Sequence, residues 1–191
     1  RGNVIRFLVP LTATDEIEPQ QVVLATGAWS PQVARGLGLR LPVQPARGYS
    51  LTALAPSVMP RQALLLGERR VAVTPMGERL RFTGRLELSA LDTTPSPKHI
   101  AGIERAVREY IALDEPLSVQ ETWAGLRPTT PDGVPIIGVS PRHTNLIVAT
   151  GHAMLGLSLG PGTGRVVADL VNGRKPALNL SRMSVDWSAR R

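Results

Sequence analysis

AGLRPTTPDGVPIIG (residues 124–138) and GHAMLGLSLGPGTG (residues 151–164) are the two stretches on which the reading of this chain turns. In the first, Arg127 stands between Gly125 and Pro128, and residues 127–135 read as a turn-rich run before a short apolar segment. The second carries five glycines and leads into a helical pattern. A guanidinium is a planar fork that matches a carboxylate in bidentate fashion. Backbone N–H groups in a glycine-rich loop, reinforced by the positive end of a helix, stabilise negative charge. Together they suit the holding of a small carboxylate next to a flat cofactor.

Working outward, residues 136–139 and 146–150 read as strands, and residues 163–171 as a helix closed by Asn172-Gly173. Residues 117–123 read as another strand. Ser96-Pro97 opens the clearest helix, with Ile100, Ile103, Val107, Tyr110 and Ile111 on one face. Residues 43–54, 63–66, 70–74 and 79–84 are further strands, broken at Gly67-Glu68 and Pro75-Met76-Gly77, as in an antiparallel meander. Residues 21–26 (QVVLAT) form a strand ending at Gly27. Ser30-Pro31 then reads as an N-cap and first helical residue, for a helix over residues 32–37. No internal repeat or low-complexity tract is expected. The order predicts an antiparallel block inserted between two pieces of another lobe, divided as residues 1–44, 45–122 and 123–191.

The 191 residues are 42% apolar and 19% charged, enough for one domain with a core or for two small lobes. No apolar run approaches the roughly 18 residues of a membrane span. Residues 1–14 lack a signal peptide's apolar stretch and cleavage site. The first residue is Arg rather than Met, which reads as a fragment or a processed product. Without cysteine there is no disulfide or cysteine metal site. The net charge of +7 comes mostly from scattered arginines, with tight clusters at Arg69-Arg70, Arg79-Leu80-Arg81 and Arg190-Arg191. Aromatics are only 4%, too few for the stacking platforms of a nucleic-acid binder. A basic scaffold on an anionic surface is the reading that charge alone leaves open.

Neither glycine cluster is a dinucleotide fingerprint. After Gly36-Leu37-Gly38, Leu41 occupies the third glycine position of GxGxxG, and Gly160-Pro161-Gly162 fails in the same way. Arg127 is the sharpest candidate for binding a substrate, against an ordinary ion pair with Asp132 or Glu121. The following Pro128 restricts its backbone to extended conformations. The loop at residues 151–164 serves either a cofactor edge or tight packing. His152 reads better as a packing or hydrogen-bonding histidine than as a base, and no histidine spacing supports a metal.

In combination, Gly125-Leu126-Arg127-Pro128, the loop from Gly151, Ala25 to Ser30 (ATGAWS) and Arg47-Gly48-Tyr49 resemble the C-terminal half of the D-amino acid oxidase (DAO) superfamily. The likeness is nearest to bacterial D-amino acid dehydrogenases and glycine oxidases. It implies an α+β or α/β fold, an antiparallel-sheet substrate domain inserted in the C-terminal part of a Rossmann-like FAD-binding domain, with the N-terminal GxGxxG part missing. It implies FAD as cofactor, lined by Thr26, Gly27, Ala28 and Trp29 and by Gly151, His152, Ala153, Met154, Leu155, Gly156, Leu157 and Ser158. Arg127 would anchor the substrate's α-carboxylate, with Tyr49 either in the pocket or in the core. Glu121 and Trp123 could face the pocket, and no protein base is called for. The implied reaction is oxidative deamination of a D-amino acid by hydride transfer to flavin, with electrons passing to a quinone or to oxygen. The implied location is cytoplasmic or peripheral on the cytoplasmic face of the inner membrane. Oxidation of glycine or sarcosine, and a non-catalytic subunit needing a flavin-bearing partner, stand as alternatives.

Overall fold

The computed structural model describes residues 7–8, 16–17, 19–113 and 116–187; the Arg190-Arg191 pair lies outside the described residues. The chain divides into two compact units, Arg1–Pro45 with Arg127–Arg191, and Ala46–Leu126. Elements in chain order are β1 (Phe7–Leu8), β2 (Glu16–Ile17), β3 (Val22–Leu24), α1 (Ser30–Gly36), β4 (Gln44–Leu54), β5 (Leu64–Leu66), β6 (Val71–Met76), β7 (Arg79–Leu88), α2 (Pro97–Arg108), β8 (Val119–Thr129), β9 (Ile136–Val139), β10 (Leu146–Thr150) and α3 (Gly156–Val171). The result is a mixed α/β architecture with an antiparallel sheet. Among the described residues no helix is long and apolar enough to cross a membrane.

The inserted unit is a five-stranded sheet in the order β5-β6-β7-β4-β8. β6 pairs antiparallel with β5 and with β7, and β7 pairs antiparallel with β4. β4 is buried almost continuously from Ala46 to Ala53, the pattern of a strand covered on both faces rather than one. Tyr49, Leu51, Val71, Val73, Leu80 and Phe82 form the core together with Ile103 and Val107 of α2. The β6–β7 turn is Gly77-Glu78, so Pro75 and Met76 lie inside the strand rather than in the predicted break. α2 starts where Ser96-Pro97 predicts, since a proline there costs no helical hydrogen bond. Tyr110 departs from the predicted apolar face. It lies beyond the helix end, 46% exposed, and its hydroxyl donates to Glu68 at 3.2 Å.

At one corner of this unit Arg47 meets Glu87 at 3.1 Å and Asp92 at 2.5 Å. The Asp92 carboxyl is lowered to about 2, first by the Thr94 N–H on its Oδ1 at 2.8 Å and the Thr94 side chain, then by Arg47. A carboxyl depressed below its ordinary value of 3.8 contributes stability above that value, and the contribution disappears as pH falls through about 2. Carbon-detected NMR is expected to give an Asp92 midpoint near 2, and Arg47→Ala to raise it part of the way.

The outer unit holds a three-stranded sheet, β3-β10-β9, with β10 parallel to β3 and antiparallel to β9. Its core is Leu24, Ala34, Leu41, Val43, Ile136, Leu146 and Val148. α3 packs on β9 and β10.

Candidate functional site

β3 and β10 are parallel neighbours, with Leu146, Ile147 and Val148 opposite Val22, Val23 and Leu24. Continuing that register sets Ala25-Thr26-Gly27 beside Ala149-Thr150-Gly151. Each strand therefore ends in the same Ala-Thr-Gly, then a 3-10 turn (Gly27–Trp29, Ala153–Leu155), then a helix. The shared tripeptide is too brief to register in the sequence until the strands are seen side by side.

Both glycines have left-handed backbones, φ +56° at Gly27 and +84° at Gly151. At Gly151 space is short as well, because a Cβ there would lie 2.7 Å from Thr130 Cγ2. Ala153 also takes a positive φ, +47°. That is an uncommon state for alanine, costing about 1 kcal/mol, and such strain gathers at binding sites. A relay of hydroxyls ties the two turns together. Thr26 Oγ1 donates to Ser30 Oγ at 3.2 Å, Ser30 Oγ to Thr150 Oγ1 at 2.9 Å, and Thr150 Oγ1 to the Gly27 carbonyl at 3.2 Å. Ser30 and Thr150 are buried. Ser30 is thus not the predicted N-cap. It lies inside α1, whose cap position is Trp29, and its hydroxyl reaches the neighbouring turn instead of its own helix.

The glycine-rich stretch is also corrected. α3 begins at Gly156, so residues 156–164 are helix rather than loop, with Pro161 inside it. Proline removes one backbone donor and glycine weakens a helix by about 1 kcal/mol relative to alanine. Local propensity therefore favours a loop, and packing on β9 and β10 overrides it. The N-terminal end of α3 consequently sits directly after the Gly151 turn, at the carboxyl ends of the parallel strands. Ligands of open α/β sheets bind at that edge. Apolar side chains are unusually bare there: Trp29 is 45% exposed, Met154 72%, Leu155 59% and Leu157 95%. His152 Nε2 lies 2.9 Å from Thr163 Oγ1, and burial holds the imidazole's pKa below its ordinary value.

Arg127 lies within β8, not in a turn. The strand runs on through Pro128 to Thr129, whose hydroxyl donates to the Gln44 carbonyl at 2.7 Å. The turn follows it, Gly133 N–H donating to the Thr130 carbonyl at 3.2 Å. Among the described residues the Arg127 guanidinium has no hydrogen bond or ion pair. It is half-buried, and desolvation pulls its pKa down. Glu121, one of the two ordinary partners considered, is 3.2 Å from Arg81. Asp132 Oδ1 accepts from the Val134 N–H at 3.0 Å. At Gly125 an added Cβ would meet the exposed Trp123 ring, which would have to move aside. In the inserted unit Tyr49 is fully buried, its hydroxyl donates to Glu87, and its ring centroid is 4.7 Å from that of His99. Of the two readings of Tyr49, this geometry favours core packing.

Within the outer unit, then, the structure joins Thr26, Gly27, Ala28 and Trp29 to the Gly151 turn, and the Gly151 turn to Thr130, three residues beyond Arg127. Residues 3–170 match the family described as FAD dependent oxidoreductase, DAO. A D-amino acid dehydrogenase of Paramagnetospirillum magneticum is 38% identical over 92% of this chain and 42% of its own length. One from Xanthobacter autotrophicus is 39% identical over 85% of the chain and 39% of its own. The chain thus spans about two-fifths of the curated relatives it matches. The glycine oxidase of Geobacillus kaustophilus superposes with a TM-score of 0.83 at 28% identity, over 90% of this chain and 46% of that one. Iminodiacetate oxidase from Chelativorans sp. BNC1 shares the fold, with a TM-score of 0.81 at 24% identity, over 91% and 48%.

Proposed function

The chain belongs to the DAO family of FAD dependent oxidoreductases, and on that premise we propose that it serves the oxidative deamination of D-amino acids, with Arg127 holding the α-carboxylate. The observation that carries this reading is the half-buried Arg127 guanidinium with no counter-charge among the described residues. Burying a cation without a partner is costly, and an anionic ligand would offset that cost. The residues at the sheet edge fit a flavin. Paired left-handed glycines allow close backbone approach, the hydroxyl relay fixes both turns, and bare Trp29, Met154 and Leu155 offer apolar contact.

When bound, FAD supplies the two-electron acceptor for the hydride that leaves the substrate's α-carbon. The chain's own residues bind and orient. Arg127 fixes the carboxylate from a strand, a more rigid mount than a loop. The positive end of α3 favours negative charge beside the Gly151 turn. His152, its Nε2 already bonded to the Thr163 hydroxyl, is a positioning group rather than a base. The imino acid released would hydrolyse to a 2-oxo acid and ammonia, and electrons would go on to a quinone or to oxygen. In this scheme residues 1–44 and 123–191 form the flavin side and residues 45–122 the substrate side. The GxGxxG turn that grips the ADP moiety comes from additional polypeptide, in the same chain or a partner.

The likeness to a glycine oxidase supports a second substrate reading, glycine or sarcosine. Turnover of a D-amino acid compared with its carboxamide, in the flavin-loaded enzyme, tests the carboxylate assignment. The wild type is expected to prefer the acid by about 10²-fold or more, and Arg127→Ala to bring the two substrates close to parity. A preference that survives the substitution would remove Arg127 from the site.

A further inference from the structure

A concavity of about 370 Å³ in the inserted unit is lined by Arg69, Arg70, Arg85, Arg105, Glu68 and Glu109. Four arginines against two glutamates leave it net positive by two. The carboxylates are already engaged: Glu109 with Arg69 at 2.5 Å, and Glu68 with the Tyr110 hydroxyl at 3.2 Å. Among the described residues the side chains of Arg70, Arg85 and Arg105 have no hydrogen bond or ion pair.

The backbone is left-handed at two of these arginines. Arg70, at the end of the β5–β6 turn, has φ +52°. Arg85 has φ +68° and sits where β7 carries one residue more than β4, between the pairs Tyr49–Gly84 and Arg47–Glu87. Left-handed backbone disfavours arginine, and a bulge of this kind normally takes glycine. On α2, Arg85 Nη2 lies 2.6 Å from where a Cβ of Gly102 would be. The Arg85 guanidinium therefore lies over Gly102, and with Arg70 and Arg105 it lines the same hollow. All three arginines are solvent-exposed, and the left-handed backbone at two of them is what a merely basic surface does not need.

Independently of the flavin reading, we propose that Arg70, Arg85 and Arg105 form a binding site for a phosphoryl group. A phosphomonoester carries up to two charges and three terminal oxygens, enough to occupy several guanidinium forks at once, whereas a monocarboxylate fills one. The hollow is wider than a phosphate ion, so the group would arrive on a larger molecule, either a soluble phosphomonoester or a lipid headgroup.

Calorimetric titration of the full chain with glycerol 3-phosphate at low ionic strength tests the site. Saturable binding is expected, weakened about tenfold or more by Arg85→Gly and by Arg105→Ala. Because glycine adopts φ +68° freely, Arg85→Gly is expected to melt no lower than the wild type, which separates lost binding from lost fold. Co-sedimentation with phosphatidylcholine vesicles containing phosphatidic acid distinguishes the sources. Sedimentation that Arg85→Gly abolishes identifies a lipid headgroup, and glycerol 3-phosphate binding without sedimentation identifies a soluble ligand. Absence of both in the wild type, or binding that neither substitution weakens, overturns the proposal.

Discussion

Arg127→Ala is expected to lower kcat/KM for a D-amino acid by about 10²- to 10³-fold, roughly 3 to 4 kcal/mol, while the flavin absorbance stays in place. The magnitude follows from removing a bidentate, charge-assisted contact in a partly desolvated setting. Arg127→Lys keeps the charge but loses the planar fork, so it should recover only a minor part of the rate. Stability should move the other way. Among the described residues the arginine has no partner, so in the unliganded protein its desolvation is an uncompensated cost. Thermal melting of Arg127→Ala without substrate is therefore expected at or slightly above the wild-type midpoint. A midpoint several degrees lower would mean that the guanidinium has a structural partner, and that the loss of rate reports misfolding.

The second large effect belongs to Gly151. At φ +84° and with Thr130 Cγ2 2.7 Å from where its Cβ would be, Gly151→Val combines backbone strain with a clash against a buried side chain. About 2 to 4 kcal/mol of destabilisation is expected from the two together. Thr130 cannot easily yield, because its hydroxyl donates to the Val134 carbonyl at 2.9 Å. The twin position is an internal control. At Gly27 the backbone is also left-handed, but an added Cβ meets nothing within 4 Å. Gly27→Ala should therefore cost only the strain, about 1 kcal/mol. Chemical denaturation of both variants checks the difference. Equal losses would mean that the Thr130 contact is not what makes Gly151 necessary.

What could be read from the sequence was mostly what local chemistry decides. β9 and β10 are continuous apolar runs between turn residues, and their observed bounds are the predicted ones. The start of α2 is written in Ser96-Pro97. Departures occur where a distant contact outvotes the local signal. Ser30 looks like a cap until Thr150 offers its hydroxyl a better partner, 120 residues away. Glycines and a proline at residues 156–164 spell a loop until β9 and β10 give the helix a surface to lie on. Arg127-Pro128 reads as a turn because proline is rare within strands, yet β8 ends at Thr129 and accommodates it there. For the site, the residue types were legible, but the lack of a partner for Arg127 among the described residues was not. No spacing rule announces which acids have found other partners.

The composition of α3 has a consequence for cooperativity. Its first two turns contain Gly156, Gly160 and Pro161, and Leu157, 95% exposed, buries almost none of its surface. The last two turns are clamped by Asp169, which binds Arg165 at 3.4 Å and Arg174 at 3.0 Å. The two halves of the helix are therefore held by different means. Amide hydrogen exchange is expected to show the front half opening well below the free energy of global unfolding and the back half exchanging later. Any ligand held by the front half pays for its ordering, and in return converts that half into part of the cooperative core.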